Sequence, residues 1–120
     1  MSYVQGFLIP VPQDRKDEYI AMARQSWSIF RDLGALDMWE CWEDDVSDGR
    51  HTSFPMAVKR QEGEKIVFSW ILWPDAATYK VAFQKMESDP EIMAELGQMC
   101  FDGRRMMWGG FTPIFRGCDG

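Results

Sequence analysis

Histidine is almost missing from this sequence. His51 is the only one, which excludes a metal centre built on two histidines of one chain. Cysteine is scarce and odd in number: Cys41, Cys100 and Cys118 lack metal-ligand spacing, so reduced thiols of a cytoplasmic protein are expected rather than a disulfide framework. No apolar run approaches the roughly 18 residues of a membrane span. Residues 3–12 lack the positive flank of a signal peptide and run straight into a charged segment. Basic charge is also short, with 13 Lys and Arg against 19 Asp and Glu and a net charge of -6. That balance disfavours phosphate backbones and anionic lipid, so neither nucleic acid nor membrane is an expected partner. Phosphate-cradling loops are missing as well, because Gly109-Gly110 lacks a strand-loop-helix context. Nothing in the spacing supports a Ser/His/Asp or Cys/His nucleophile set.

Large apolar side chains are what the chain does have. With 46% hydrophobic residues, six Trp and nine Met in 120 positions, it exceeds what one small core requires, and the excess points to an interface or a lined pocket. The length suits a single domain over residues 1–120 and is too short for two.

Residues 64–75, EKIVFSWILWPD, organise the rest. Ile66, Phe68, Trp70 and Leu72 alternate with Val67, Ser69, Ile71 and Trp73, so a strand here is apolar on both faces and both need a cover. Exposing one face would forfeit about 1.5–3 kcal/mol per large side chain. Ahead of it, residues 3–9 read as a strand ended by Pro10 and Pro12, which cannot donate to a ladder. Asp14 is the expected N-cap of a helix of about 19 residues, with Tyr19, Met22, Ala23, Trp27, Phe30 and Leu33 as its apolar stripe and Gly34 as its left-handed end. Residues 36–45 are a second strand, with Met38, Glu40 and Trp42 on one face and Trp39, Cys41 and Glu43 on the other. Residues 46–63 should hide a short helix after Thr52 and Ser53, with Pro55 early in it and Val58 facing inward. Asp75 caps a helix with the stripe Tyr79, Ala82, Phe83 and Met86. Asp89-Pro90 starts another that closes at Gly97, and residues 104–111 form the last strand, where Gly109-Gly110 marks a bulge or a close backbone approach. The tail from Thr112 to Phe115 should be extended and pack on a neighbour.

The order strand-helix-strand-strand-helix-strand gives the fold class: α+β, ferredoxin-like βαββαβ, a four-stranded antiparallel sheet with the helices on one face. The other face carries Trp and Met from three strands. A homodimer covering that face, with roughly 2,000 Å² or more buried, is the economical solution.

Four segments, YVQGFLIPVP, ECWEDDVSDG, VFSWILWPD and FDGRRMMWGGFTPI, resemble the YbaA-like family of short bacterial proteins of unknown function, and the resemblance spans essentially the whole chain. It implies the dimeric α+β barrel superfamily, whose other branches include antibiotic-biosynthesis and haem-degrading monooxygenases. It implies no activity of its own. The haem-binding branches use a helical axial histidine whereas His51 falls in a loop, so haem is not expected and the cofactor expectation is none.

Candidate chemistry gathers at strand ends and hairpins, in Glu40, Glu43, Asp44, Asp45, Asp48, His51, Asp102, Arg104 and Arg105. Glu40, between Met38 and Trp42 on its own face, should be partly desolvated, with a raised pKa suited to a general acid or base. The competing reading pairs it with Arg104 or Arg105 across the sheet. Glu43, Asp44, Asp45 and Asp48 read as a solvated hairpin, since the full Ca²⁺-loop pattern is absent, and no metal site is expected. Glu40 and His51 are thus the candidate catalytic residues. Trp42, Trp70, Trp108 and Arg104 are the candidate ligand-binding ones, with Trp39, Trp73, Met106 and Met107 as further lining of a flat cavity. The first functional reading is a cytoplasmic dimer that binds a small apolar or aromatic molecule. Its alternatives are a cofactor-independent monooxygenase, in which Glu40 or His51 takes a proton, and a structural or regulatory dimer without ligand.

Overall fold

The doubly apolar stretch forms β3 (Glu64–Trp73) in a computed structural model that describes residues 1–97 and 99–118. Around it stand β1 (Tyr3–Pro12), β2 (Asp37–Trp42) and β4 (Met107–Phe111), in the antiparallel sheet order β2-β3-β1-β4. The helices are α1 (Lys16–Asp32), the short α2 (Phe54–Ala57), α3 (Ala76–Ser88) and α4 (Pro90–Leu96). The fold is α+β with ferredoxin-like topology, as the element order predicts.

Register assigns every side chain to a face. Tyr3 lies opposite Trp73, Glu40 opposite Ser69 and Phe7 opposite Trp108. One face therefore carries Gln5, Phe7, Ile9, Val67, Ser69 and Ile71, and the long helices cover it. Ile71, Trp73, Ala35 and Ala82 form one buried cluster, and Ile9, Val11, Tyr19 and Val67 form the other. A ring chain binds α3 to the sheet, with Tyr79 4.9 Å from Tyr3 and 6.0 Å from Trp73. Each such side chain removed from water contributes about 1.5–3 kcal/mol. On the opposite face only one end is covered: α2 sets Phe54 6.3 Å from Phe68, and Ile66 is buried there.

Several sequence expectations need correction. Pro10 and Pro12 do not end the first strand, which runs through both. The Gln13 N–H donates to the Gly63 carbonyl at 2.8 Å, continuing the β1–β3 ladder, so odd-numbered residues of β1 turn their N–H toward β3 and even-numbered ones turn away. β4 reaches only to Leu8. The two prolines thus point their missing donors at an open side, where nothing needs them. Asp14 is not the cap of α1, because a 3-10 turn over Gln13–Arg15 leads into the helix and the N-cap position falls on Arg15, without a side-chain cap. Ser53, Asp75 and Asp89 do cap α2, α3 and α4, and Gly34 has the expected left-handed backbone at φ 112°.

The last strand starts at Met107 rather than Arg104 because Arg105 is drawn elsewhere. Its guanidinium donates to both carboxylate oxygens of Glu64 at 2.7 and 2.6 Å and to Asp102 at 3.1 Å. This charge-assisted fork ties the turn before β4 to the start of β3, and it holds the Glu64 carboxyl below the ordinary glutamate range against the opposing effect of burial.

At Gly109-Gly110 the register is continuous, so the pair serves close approach and forms no bulge. A Cβ on Gly110 would stand 2.6–2.7 Å from ring carbons of Tyr3, whereas one on Gly109 would meet only Phe111 at 3.5 Å. Gly110→Ala should therefore lower unfolding free energy by about 1–3 kcal/mol and Gly109→Ala by much less, as read from urea denaturation midpoints. Equal costs would mean that Tyr3 yields freely.

Candidate functional site

Three elements bring polar groups together on the helix-covered face. β2 presents Glu40 between Met38 and Trp42, β3 presents Ser69 directly across from it, and the first turns of α1 present Tyr19. The Tyr19 hydroxyl donates to Glu40 Oε1 at 2.6 Å. Glu40 opens to solvent along one side, yet its carboxyl end lies among apolar groups. Burial pushes its pKa up, and the hydrogen bonds from Tyr19 and Ser69 only partly offset this. Burial, followed by the charge and hydrogen bond of Glu40, drives the Tyr19 phenol far above its ordinary value, so the shared proton stays on tyrosine.

The pair stands between two spaces. An inner cavity of about 330 Å³ lies between sheet and helices, with Glu40, Tyr19, Ser69, Gln5, Ser26 and Glu87 as its polar points. Its remaining lining is soft and aromatic, with Met22, Met86, Met93, Met106, Phe83 and Trp108 among it. Gln5 is buried, and its Oε1 accepts from Trp73 Nε1 at 3.2 Å, which fixes the amide and turns its NH₂ end to other acceptors. On the outer side of Glu40 a larger cleft of about 540 Å³ runs between α1 and β2.

The structure gathers some of the sequence candidates and scatters others. Glu40 and Trp42 share the cleft. Trp108 lines the inner cavity, stacked on Phe83 at 4.9 Å. Trp70 is on the opposite face, stacked on Trp39 at 5.8 Å, and Trp73 is wholly buried in the core, so the tryptophans do not line one cavity as a set, although Trp70 and Trp108 both border a trough on the bare side of the sheet. Arg104 is almost fully exposed beside Asp102. His51 is exposed in the segment before α2 and lines neither space. Glu40 does not pair with Arg104 or Arg105, because Arg105 is committed to Glu64 and Tyr19 is nearer to hand. Glu43 accepts from Arg60 at 2.7 and 2.8 Å, and Asp48 meets the same guanidinium at 3.1 Å. No group of three or more potential metal ligands exists among the described residues. Tyr19 and Gln5 were not singled out by the sequence. Their signal was a hydroxyl inside an apolar helical stripe and an amide on the inward parity of a strand.

Sheet order, register and a polar pair on the helix-covered face define an α+β protein of ferredoxin-like topology with a walled cavity. Within that class the chain belongs to the family described as protein of unknown function DUF1428, which matches residues 2–103. It is 50% identical over 115 residues to the uncharacterized protein YbaA of Escherichia coli strain K12, covering 95% of this chain and 97% of that one. The same figures hold for the uncharacterized protein YbaA of Shigella flexneri. Among solved structures it resembles a mutant of SnoaB, a cofactor-independent oxygenase from Streptomyces nogalater, with a TM-score of 0.55 and 15% identity over 96% of this chain and 93% of that one. At that identity the likeness is one of fold. No helix among the described residues is long and apolar enough to cross a membrane.

The raised pKa of Glu40 has a defined sign. The folded state favours the neutral acid, so this group supports stability below about pH 4.5, the ordinary glutamate value, and loses that support as pH rises through its folded pKa. Glu40→Gln keeps a neutral acceptor for Tyr19. It should gain stability relative to the parent between pH 4 and pH 7, measured by urea denaturation at both. A relative loss at pH 7 would show that the ionised form is the favoured one.

Proposed function

We propose that the protein binds a small apolar or aromatic molecule in the inner cavity and works as a cytoplasmic homodimer folded as one domain over residues 1–120. The observation that carries the ligand reading is the cavity itself: about 330 Å³ of methionine- and aromatic-lined space with a few convergent polar groups on its wall. Titration with neutral naphthalene, followed by tryptophan fluorescence, should saturate. Trp108→Ala, which removes the ring stacked on Phe83, should weaken binding by about three- to tenfold. A titration without saturable change defeats the reading.

The dimer reading rests on the sheet face that the long helices leave bare. Val4, Leu8, Phe68, Trp70, Met107 and Phe111 surround a trough of about 660 Å³ there, and Phe111 is 62% exposed and Trp39 54%. Of the strand residues on this face only Asp37 at one corner and Glu64 at another are charged, and Glu64 is neutralised by Arg105, although the chain bears -6. Two acidic chains can approach through such a surface without like-charge repulsion. Over residues 112–118 the chain has no regular structure, and Ile114 and Phe115 are 97% and 86% exposed, an apolar tail suited to packing on the second copy. Light scattering should give twice the 14.0 kDa of the chain. Trp70→Glu should give the single mass while retaining helical circular dichroism. A folded parent protein of single mass would overturn this reading.

The Glu40–Tyr19 pair favours a second reading, a cofactor-independent monooxygenase acting on an electron-rich aromatic. A carboxylate with elevated proton affinity at a cavity wall is a competent proton acceptor. Oxygen uptake with a panel of quinols, lost in Glu40→Gln, is the outcome that would favour the enzyme over the binder.

A further inference from the structure

The outer cleft has a composition that the inner cavity lacks. One stripe of α1 supplies Lys16, Ile20, Arg24 and Trp27, at helical spacing, and β2 supplies Met38 and Trp42 opposite. The Lys16 ammonium stands 5.4 Å from the centre of the Trp42 ring. Lys16 and Arg24 are the cleft's two Lys and Arg residues, and among the described residues neither meets a carboxylate within the 4.0 Å of an ion pair, a condition they share with Arg50, Arg116 and the other lysines, which lie outside the cleft. A chain with six more acids than bases has thus left two cations without acidic partners beside an apolar cleft. Ile20 remains 41% exposed between them.

We propose that the cleft between α1 and β2 is a second binding site, which takes a flat aromatic carboxylate. Its volume of about 540 Å³ falls in the range of small-molecule sites. Trp27, Trp42 and Met38 offer faces for a ring, and the Arg24 fork and the Lys16 ammonium meet the carboxylate at the rim. The one acid in the wall, Glu40, is engaged by Tyr19. Two cations on a mainly apolar wall suit a single planar anion rather than a phosphate, for which no loop of backbone donors is present among the described residues. The cleft shares Tyr19, Ala23 and Glu40 with the inner cavity but not Trp108, so the two sites are separable.

Isothermal titration with 2-naphthoate and with its uncharged counterpart 2-naphthamide tests this on the full chain. The carboxylate should bind about tenfold more tightly than the amide. Arg24→Gln and Lys16→Gln, both on an exposed helix face, should each remove most of that difference without affecting the amide, and added salt should shrink it. Trp108→Ala should leave naphthoate binding unchanged. Equal affinities, indifference to both cations, no binding of naphthoate, or its loss in Trp108→Ala would each overturn the proposal. Naphthalene binding to the inner cavity is read separately, so failure of one site does not mask the other.

Discussion

A strand that is apolar on both sides cannot rest against a single layer, and β3 imposes that constraint on the whole molecule. Val67, Ile71 and Trp73 are covered by the helices and are almost fully buried. Phe68 and Trp70, on the other side, are left with only α2 at one end. The free energy of removing such side chains from water is large beside the net stability of a small domain. The chain therefore spends its helices where they complete one core, and it confines charge on the second surface to the strand ends at Asp37 and Glu64. The same division separates the tryptophans: Trp73 is core, Trp39 and Trp70 belong to the bare face, and Trp42 and Trp108 border the two spaces under the helices.

Polar groups on the covered face are few, and each is held. Gln5 is anchored by Trp73, Ser69 lies opposite Glu40, and Tyr19 donates to Glu40. In a medium of low polarity an unsatisfied group is costly, and no buried side-chain polar atom among the described residues lacks a partner. The arrangement sets a carboxyl with raised proton affinity at a junction of cavity and cleft. Such a group can receive a proton or anchor a donor on a ligand.

How much was legible follows from the range of each interaction. The caps Ser53, Asp75 and Asp89 are local, since each side chain meets an N–H two or three residues on, so spacing alone reveals them. Asp14 is not the cap because an intervening 3-10 turn moves the helix start on by one residue. Pro10 and Pro12 misled for a different reason: a missing donor ends a strand only if a neighbour requires it, and that depends on how far β4 extends. An Arg105 partner for Glu40 is not realised because Arg105 has a better partner in Glu64, 41 positions earlier in the chain.

The amino-acid order by itself determined the element sequence, the doubly apolar central strand, the grouping of Glu40 with Met38 and Trp42 on one side of β2, and the left-handed turn at Gly34, because each follows from periodicity or backbone freedom within a few residues. Folding in three dimensions decided the rest. It chose Tyr19 as the partner of Glu40, sent Trp70 and Trp108 to opposite faces of one sheet, committed Arg105 to Glu64, and placed two unpaired cations beside a cleft. Those outcomes depend on strand register and on competition among groups distant in sequence, and no local pattern encodes which of several neighbours a side chain will meet.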